Sequence, residues 1–123
     1  MANPNLAAMA TMKGDSDMVS LSTTNMTVIV NNPASSGKVF QIDFLSIAND
    51  NGSALSNVTV KIFSQDDLGG TGFCICYLVP VPAGATLIVF DGPFYLKEDR
   101  SIGVQAGSAN YLDVVASWAE ILE

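Results

Sequence analysis

The segment Phe73-Cys74-Ile75-Cys76-Tyr77-Leu78-Val79 is apolar at every position. Successive side chains of a β-strand point to opposite faces of the sheet, so a strand at the surface of a monomeric sandwich should alternate apolar and polar residues. This segment does not alternate. If one of its faces fills the core, the other needs cover from a loop, an arm or a neighbouring subunit. The segment therefore predicts a strand in a protein that packs against other subunits.

The two faces of this strand carry different side chains. We assign Phe73, Ile75 and Tyr77 to the core, and Cys74, Cys76 and Leu78 to a neighbouring subunit, although the same pattern allows the reverse assignment. A Leu78→Asp substitution should then abolish oligomerisation and leave the monomer folded.

The rest of the chain also indicates short strands separated by turns. Turn residues cluster at 14–17, 49–53 and 91–93, where Asn, Asp, Gly and Pro favour tight backbone turns. In the long strand 39–48, Phe40, Ile42 and Phe44 share one face, and the apolar pattern shifts by one residue after Phe44, which indicates a bulge. The further predicted strands are residues 18–21, 26–30, 57–63, 86–90, 94–96, 102–106 and 112–118.

These strands predict an all-β fold, namely a single antiparallel β-sandwich of about eight strands. The spacing is compatible with a jelly-roll and with an immunoglobulin-like topology. The small, uncharged residues at the start predict an extended N-terminal arm, residues 1–13, followed by the sandwich domain, residues 14–123.

Composition excludes several classes of partner. The 123-residue chain has 49% hydrophobic and 14% charged residues, and a net charge of −7. An acidic surface repels phosphate groups, so we expect neither nucleic-acid binding nor attachment to an anionic membrane. No apolar run approaches the roughly 20 residues of a membrane-spanning helix, and the first residues lack the pattern of a signal peptide. We expect a protein that is made and used without crossing a membrane by the secretory route.

The residues available for catalysis or metal binding are few. The chain has no histidine, so a serine or cysteine nucleophile would have no histidine base, and we expect no enzymatic activity and no cofactor. Cys74 and Cys76 point to one face of a strand and lack further Cys or His ligands, which favours reduced, apolar cysteines over a metal site. Carboxylates in the predicted loops could bind calcium, but turn capping and solubility are the favoured explanation, since no EF-hand-like spacing is present. These residues are Asp66, Asp67, Asp91, Glu98 and Asp99.

Several segments resemble small virion structural proteins of tailed bacteriophages. They are the opening residues 1–5, the turn and strand at 32–40, and the stretches 95–102, 109–110 and 114–121, which together span most of the chain. The motifs are turn and strand signatures. In those proteins an acidic-glycine turn usually precedes the penultimate strand, whereas Lys97-Glu98-Asp99-Arg100 occupies that place here.

The resemblance implies a non-enzymatic β-sandwich protein on the virus particle, most simply a capsid decoration or cement protein that is made in the cytoplasm of the host cell. Such proteins commonly form trimers on the outer shell and clamp neighbouring copies of the major capsid protein. The interface residues expected on this basis are Ala2, Asn3, Pro4, Asn5 and Leu6 of the arm, with Cys74, Cys76 and Leu78. Two alternatives remain open: a neck, tail or fibre-attachment component, and a carbohydrate-binding module that would use Trp118 or Tyr95.

Overall fold

The computed structural model describes residues 11–122. Over this range the chain forms eight strands: β1 (Thr11–Ser20), β2 (Thr27–Asn32), β3 (Lys38–Asn49), β4 (Ser56–Phe63), β5 (Gly72–Val81), β6 (Thr86–Leu96), β7 (Arg100–Ala106) and β8 (Leu112–Leu122). They form two four-stranded sheets, which confirms the predicted all-β sandwich. Within the described range there is no helix of the length and apolarity needed to cross a membrane.

The order of the strands decides the topology. One sheet has the order β1-β8-β3-β6 and the other β2-β7-β4-β5. Four antiparallel pairs are nested inside one another: β1 with β8, β2 with β7, β3 with β6, and β4 with β5. This is the pattern of one long hairpin, closed between β4 and β5, that is wrapped into two sheets. The fold is therefore a jelly-roll and not an immunoglobulin-like sandwich, in which consecutive strands more often pair as hairpins.

The core lies between the two sheets and is built almost wholly from aliphatic side chains. In β4, Val58 and Val60 are fully buried and Ile62 packs against the core, as the alternation in the sequence predicts. Thr59 is also buried, although the alternation predicts exposure to water. The largest fully buried side chains outside β4 come from the residue after β1 and from β2, β3, β5, β6, β7 and β8: Leu21, Val30, Ile42, Leu45, Ile47, Val81, Leu96, Ile102, Leu112 and Ile121.

The predicted bulge in β3 is confirmed, but it lies slightly earlier. The pairing of β3 with both β6 and β8 shifts between Ile42 and Phe44. Asp43 is therefore the additional residue, and Phe44 turns outward instead of sharing the inner face of Phe40 and Ile42. After the shift, Leu45 occupies the core, in agreement with the change of phase in the sequence.

Two predicted turns are wrong. Residues 14–17 lie inside β1, where the side chains of Asp15 and Asp17 each accept a hydrogen bond from the next backbone N–H. Residues 91–93 lie inside β6. There, Gly92 and Pro93 are the additional residues opposite the β3 bulge, and Gly92 adopts a φ of 121°. At residues 91–93 the turn-forming residues produce a strand irregularity, whereas residues 14–17 pair with β8 without a shift of register.

β1 differs from every other strand in its exposure. All side chains from Thr11 to Met18 are exposed, on both faces of the strand, and only Val19 packs against the core. The strand is attached through its antiparallel pairing with β8, which runs from Thr11 opposite Leu122 to Ser20 opposite Asp113.

Candidate interaction surface

β5 lies at the edge of its sheet, and it exposes a row of large apolar side chains. It pairs with β4 on one side and is the last strand in the order β2-β7-β4-β5. The exposed fractions are 61% for Phe73, 42% for Ile75, 69% for Tyr77 and 50% for Leu78. Cys74, between them, is exposed as well. We call residues 73, 74, 75, 77 and 78 the β5 surface.

The prediction that Phe73, Ile75 and Tyr77 fill the core is therefore wrong. The core contacts of this strand come from Cys76 and Val79, which pair with Val60 and Val58 of β4, and from the buried Val81. Cys74 and Leu78 are exposed, as an interface requires, whereas Cys76 is half-buried against the core. Contact of these three residues with a neighbour stays a prediction.

Two irregularities in the pairing of β5 with β4 explain the error. The register shifts between Val58 and Val60, and again between Val60 and Lys61. At the first shift Leu78 has a φ of 48°, and its N–H donates to the Thr59 hydroxyl at 3.1 Å. Each additional residue reverses the faces that follow it, so simple alternation along this strand fails. An all-apolar strand offers no polar residue that would reveal such a change of phase.

The β5 surface is also free of charge. Residues 72–81 contain no Asp, Glu, Lys or Arg, although the whole chain carries a net charge of −7. β1, an edge strand of the opposite sheet, carries Lys13, Asp15 and Asp17. Charges, prolines and bulges are the usual means by which edge strands avoid pairing with other chains. β5 has bulges and Pro80, which disfavour a continuous ladder, so its uncharged side chains are suited to packing against another surface.

The size of this surface sets the strength of a contact. About two thirds of Phe73 and Tyr77 is exposed, or roughly 250 Å² if each aromatic side chain presents about 200 Å². Burying that area would contribute roughly 6 kcal/mol at ~25 cal/mol per Å². Association itself costs about 4–15 kcal/mol. The two rings alone therefore give at most a weak contact, and a stable one needs Ile75, Leu78 or several copies acting together.

The two cysteines have different environments. Cys74 is exposed, and Cys76 is half-buried. Burial raises the pKa of the Cys76 thiol, which keeps it protonated and unreactive at neutral pH. This agrees with the interpretation of Cys76 as a small apolar residue, whereas Cys74 belongs to the exposed surface.

The predicted interface in the arm, Ala2, Asn3, Pro4, Asn5 and Leu6, lies outside the described residues. Of the predicted arm, residues 11–13 form the start of β1.

Several acidic side chains of the loops accept hydrogen bonds from backbone N–H groups. The carboxylate of Asp66 accepts from the N–H of Ala34 at 3.0 Å, and that of Asp99 accepts from the N–H of Asp66 at 3.1 Å. Glu98 accepts from the N–H of Gly37 at 3.0 Å, and this bond lowers the pKa of Glu98. These bonds support turn capping as the role of the carboxylates. Residues 11–122, as described, bring together no group of three or more metal-ligating side chains.

Asp50, which directly follows β3, and Asp113 of β8 form a pair of acidic side chains. The pKa of Asp50 is raised, chiefly by a hydrogen bond with the side chain of Asp113. A raised pKa in the folded state means that the pair stabilises the fold at acidic pH and loses this effect as the pH rises through the pKa. The hydrogen bond requires a proton on one of the two carboxyl groups and is the main cause, while desolvation and repulsion between the two charged forms act in the same direction.

The two aromatic residues named for sugar binding, Trp118 and Tyr95, differ in how far they are exposed. Trp118 is 8% exposed and stacks on Phe40 with ring centroids 6.1 Å apart, while its Nε1 donates to Glu120. Its ring faces the core and offers no platform for a sugar. Tyr95 is exposed on β6.

Two solved structures have a similar fold. A protein of the Bacillus endospore appendages, a family of disulfide-linked pili, has a TM-score of 0.54 and 15% identity, with 98% of this chain and 100% of that chain covered. A chain from the acid-stable capsid of Helicobacter pylori bacteriophage KHP30 has a TM-score of 0.53 and 10% identity, with 94% and 90% covered. At these identities the likeness is one of fold.

No protein-family model and no curated protein sequence matches the chain.

Proposed function

We propose that this protein is a non-enzymatic structural protein of a bacteriophage virion, and that it acts as a capsid decoration or cement protein. The observation that carries the proposal is the β5 surface, an exposed, uncharged, largely apolar row on the edge of a jelly-roll. Soluble monomers rarely expose large contiguous apolar patches, and such patches mark contacts with other proteins. The similar folds of a capsid chain and a pilus protein support a role in assembly.

The proposed partners are other copies of this chain and the major capsid protein. Copies associate as a trimer through the β5 surface, with Cys74 and Leu78 in the contact and Cys76 behind them. The arm, with Ala2, Asn3, Pro4, Asn5 and Leu6, holds the outer surface of the shell and joins neighbouring capsid subunits. Stabilisation is mechanical, since weak contacts are repeated over many copies on one particle.

A Leu78→Asp variant tests the contact between copies. Asp at this position places a charge in the β5 surface, and Asp tolerates the positive φ of residue 78 better than Leu does. We expect light scattering to give three times the 12.9 kDa chain mass for the unmodified protein, and the monomer mass for Leu78→Asp with an unchanged circular dichroism spectrum.

Leu55→Asp is the matched control. Leu55 is 57% exposed and lies in the loop before β4, away from the β5 surface. The substitution therefore makes the same chemical change as Leu78→Asp at a similar exposure. It should remain a trimer. A monomeric unmodified protein, or dissociation of both variants alike, would contradict an interface on β5.

Binding to the shell is a separate measurement. The protein should co-sediment with shells assembled from the major capsid protein of the virus that encodes it, and raise the temperature at which those shells disassemble. A variant that lacks residues 2–6 should remain a trimer and lose this binding. Failure of the unmodified protein to bind would exclude the decoration role while leaving self-association intact.

A further inference from the structure

β1 is the strand with the most exposed side chains. Every side chain from Thr11 to Met18 is exposed, on both faces, so this segment buries little apolar surface. Its attachment is a backbone ladder to β8, and such hydrogen bonds exchange with bonds to water at little net gain. Elements with few buried apolar contacts open at the lowest free energy. β1 therefore detaches more readily than the strands that fill the core.

The point at which detachment stops is defined by Leu21. Its side chain is buried, its N–H donates to the Leu112 carbonyl at 2.9 Å, and its carbonyl accepts from the N–H of Asn110 at 2.8 Å. Just before it, an open surface depression of about 340 Å³ lies over the paired ends of β1 and β8, lined by Met18, Val19, Ser20, Asp113, Val114 and Val115. The chain is thus anchored in the core at Leu21, whereas the side chains of residues 11–18 lie on the surface.

A released β1 is long enough to reach another molecule. Ten residues in extended form span roughly 33 Å. Release also leaves β8 with an unpaired edge, which accepts an antiparallel strand. The strand that fits this edge with no new contact is β1 of a second copy, since it restores the same register, including Lys13 opposite the acidic Glu120.

We propose that β1 is an exchangeable strand, and that the β8 edge of one copy binds β1 of a second copy of this chain. When identical elements are exchanged, the assembly has the same contacts as the monomer. The free-energy cost then comes only from the changed conformation of the hinge loop and from the association of two molecules. The inference is independent of the virion role and of the β5 surface, because it depends on the exposure and register of β1 alone.

Cross-linking across the ladder tests the proposal. Ser16 lies directly opposite Ser117, at a separation that a disulfide can bridge. In a Cys74→Ser, Cys76→Ala background, one copy carries Ser16→Cys and a second copy carries Ser117→Cys. The two are mixed at high concentration under reducing conditions and then oxidised. Exchange predicts a covalent heterodimer, which denaturing electrophoresis measures.

Two controls make the result decisive. A mixture of Ser16→Cys with Gln105→Cys, an exposed position on β7 of the other sheet, should give at least tenfold less heterodimer. The double variant Ser16→Cys, Ser117→Cys, oxidised when dilute, should form an internal cross-link and then exchange no longer. Equal heterodimer in both mixtures, or heterodimer in neither, would overturn the proposal, as would a double variant that never cross-links internally.

Discussion

Asn32 and Asn49 hold the two ends of β3 by the same arrangement of hydrogen bonds. The amide of Asn32 donates to the carbonyls of Lys38 and Leu96 at 3.1 and 3.0 Å, and its oxygen accepts from the Ser36 hydroxyl. The amide of Asn49 donates to the carbonyls of Ala54 and Val81, both at 2.9 Å. Each side chain is buried and bonds carbonyl groups that belong to different strands or loops.

Asn32→Ala should lower the free energy of unfolding by about 1–3 kcal/mol, because it leaves buried carbonyl groups without their donor. Urea denaturation followed by circular dichroism measures the loss. Asn25→Ala, in an exposed loop, is the matched control and should change the stability by less than about 0.5 kcal/mol. Equal losses in the two variants would show that the amide of Asn32 contributes little.

The role of these asparagines could be predicted only in part. The sequence places turn residues around both, and the chain does leave a strand at each. The partners of the buried amides, however, lie 64 residues away for Leu96 and 32 residues away for Val81. Local propensity reports on neighbours along the chain, so it cannot identify a bond between distant strands.

At the scale of the strand, Gly92 carries the irregularity of β6. Its φ of 121° is one that residues with a Cβ rarely adopt, although no atom would contact an added Cβ. Gly92→Ala should therefore lower the free energy of unfolding by more than about 1 kcal/mol through backbone strain alone.

Gly14→Ala provides the comparison for Gly92→Ala. Gly14 also has open space around its Cα, but no positive φ, and it lies in exposed β1. Its substitution should be neutral or slightly stabilising in the same thermal or urea unfolding experiment. Similar effects at the two positions would show that the conformation of residue 92 imposes no strain.

The strands themselves differed in how well the sequence predicted them. β3 mixes apolar and polar residues, so its bulge appears as a change of phase, and the prediction was wrong by only one residue at Phe44. β5 is apolar throughout, so its two bulges leave no trace in the pattern. The exposed residues Phe73, Ile75 and Tyr77 were missed for this reason. The absence of charge from residues 72–81 was the signal that could have indicated a surface for contact.

At the scale of the molecule, the net charge of −7 opposes association while the β5 surface favours it. Salt screens the repulsion, since the Debye length falls from about 30 Å at 0.01 M to about 8 Å at 0.15 M. The associated fraction of the unmodified protein should therefore rise with ionic strength, as measured by sedimentation velocity. Leu78→Asp should stay monomeric throughout. Dissociation of the unmodified protein on adding salt would indicate an interface held by ion pairs.

The fold class was predictable and the topology was not. Alternation and turn residues establish that this chain forms strands and that their inner faces make one core. They contain no information on which strands are neighbours, and β3 with β8 or β4 with β7 pair across long intervals of sequence. The choice of a jelly-roll over an immunoglobulin-like sandwich therefore needed the coordinates.

The nested pairing also determines when this protein can fold. Only β4 and β5 are both consecutive in the chain and paired within the described range, so that hairpin can form early. The sheet β1-β8-β3-β6 has β8 at its centre, between β1 and β3. A chain still on the ribosome lacks β8 until nearly all of residues 11–122 have been made. Folding of this sheet must then wait for the synthesis of β8 and proceed on the millisecond-to-second timescale of proteins dominated by distant contacts. The apolar β5 surface is exposed to other nascent chains in the meantime.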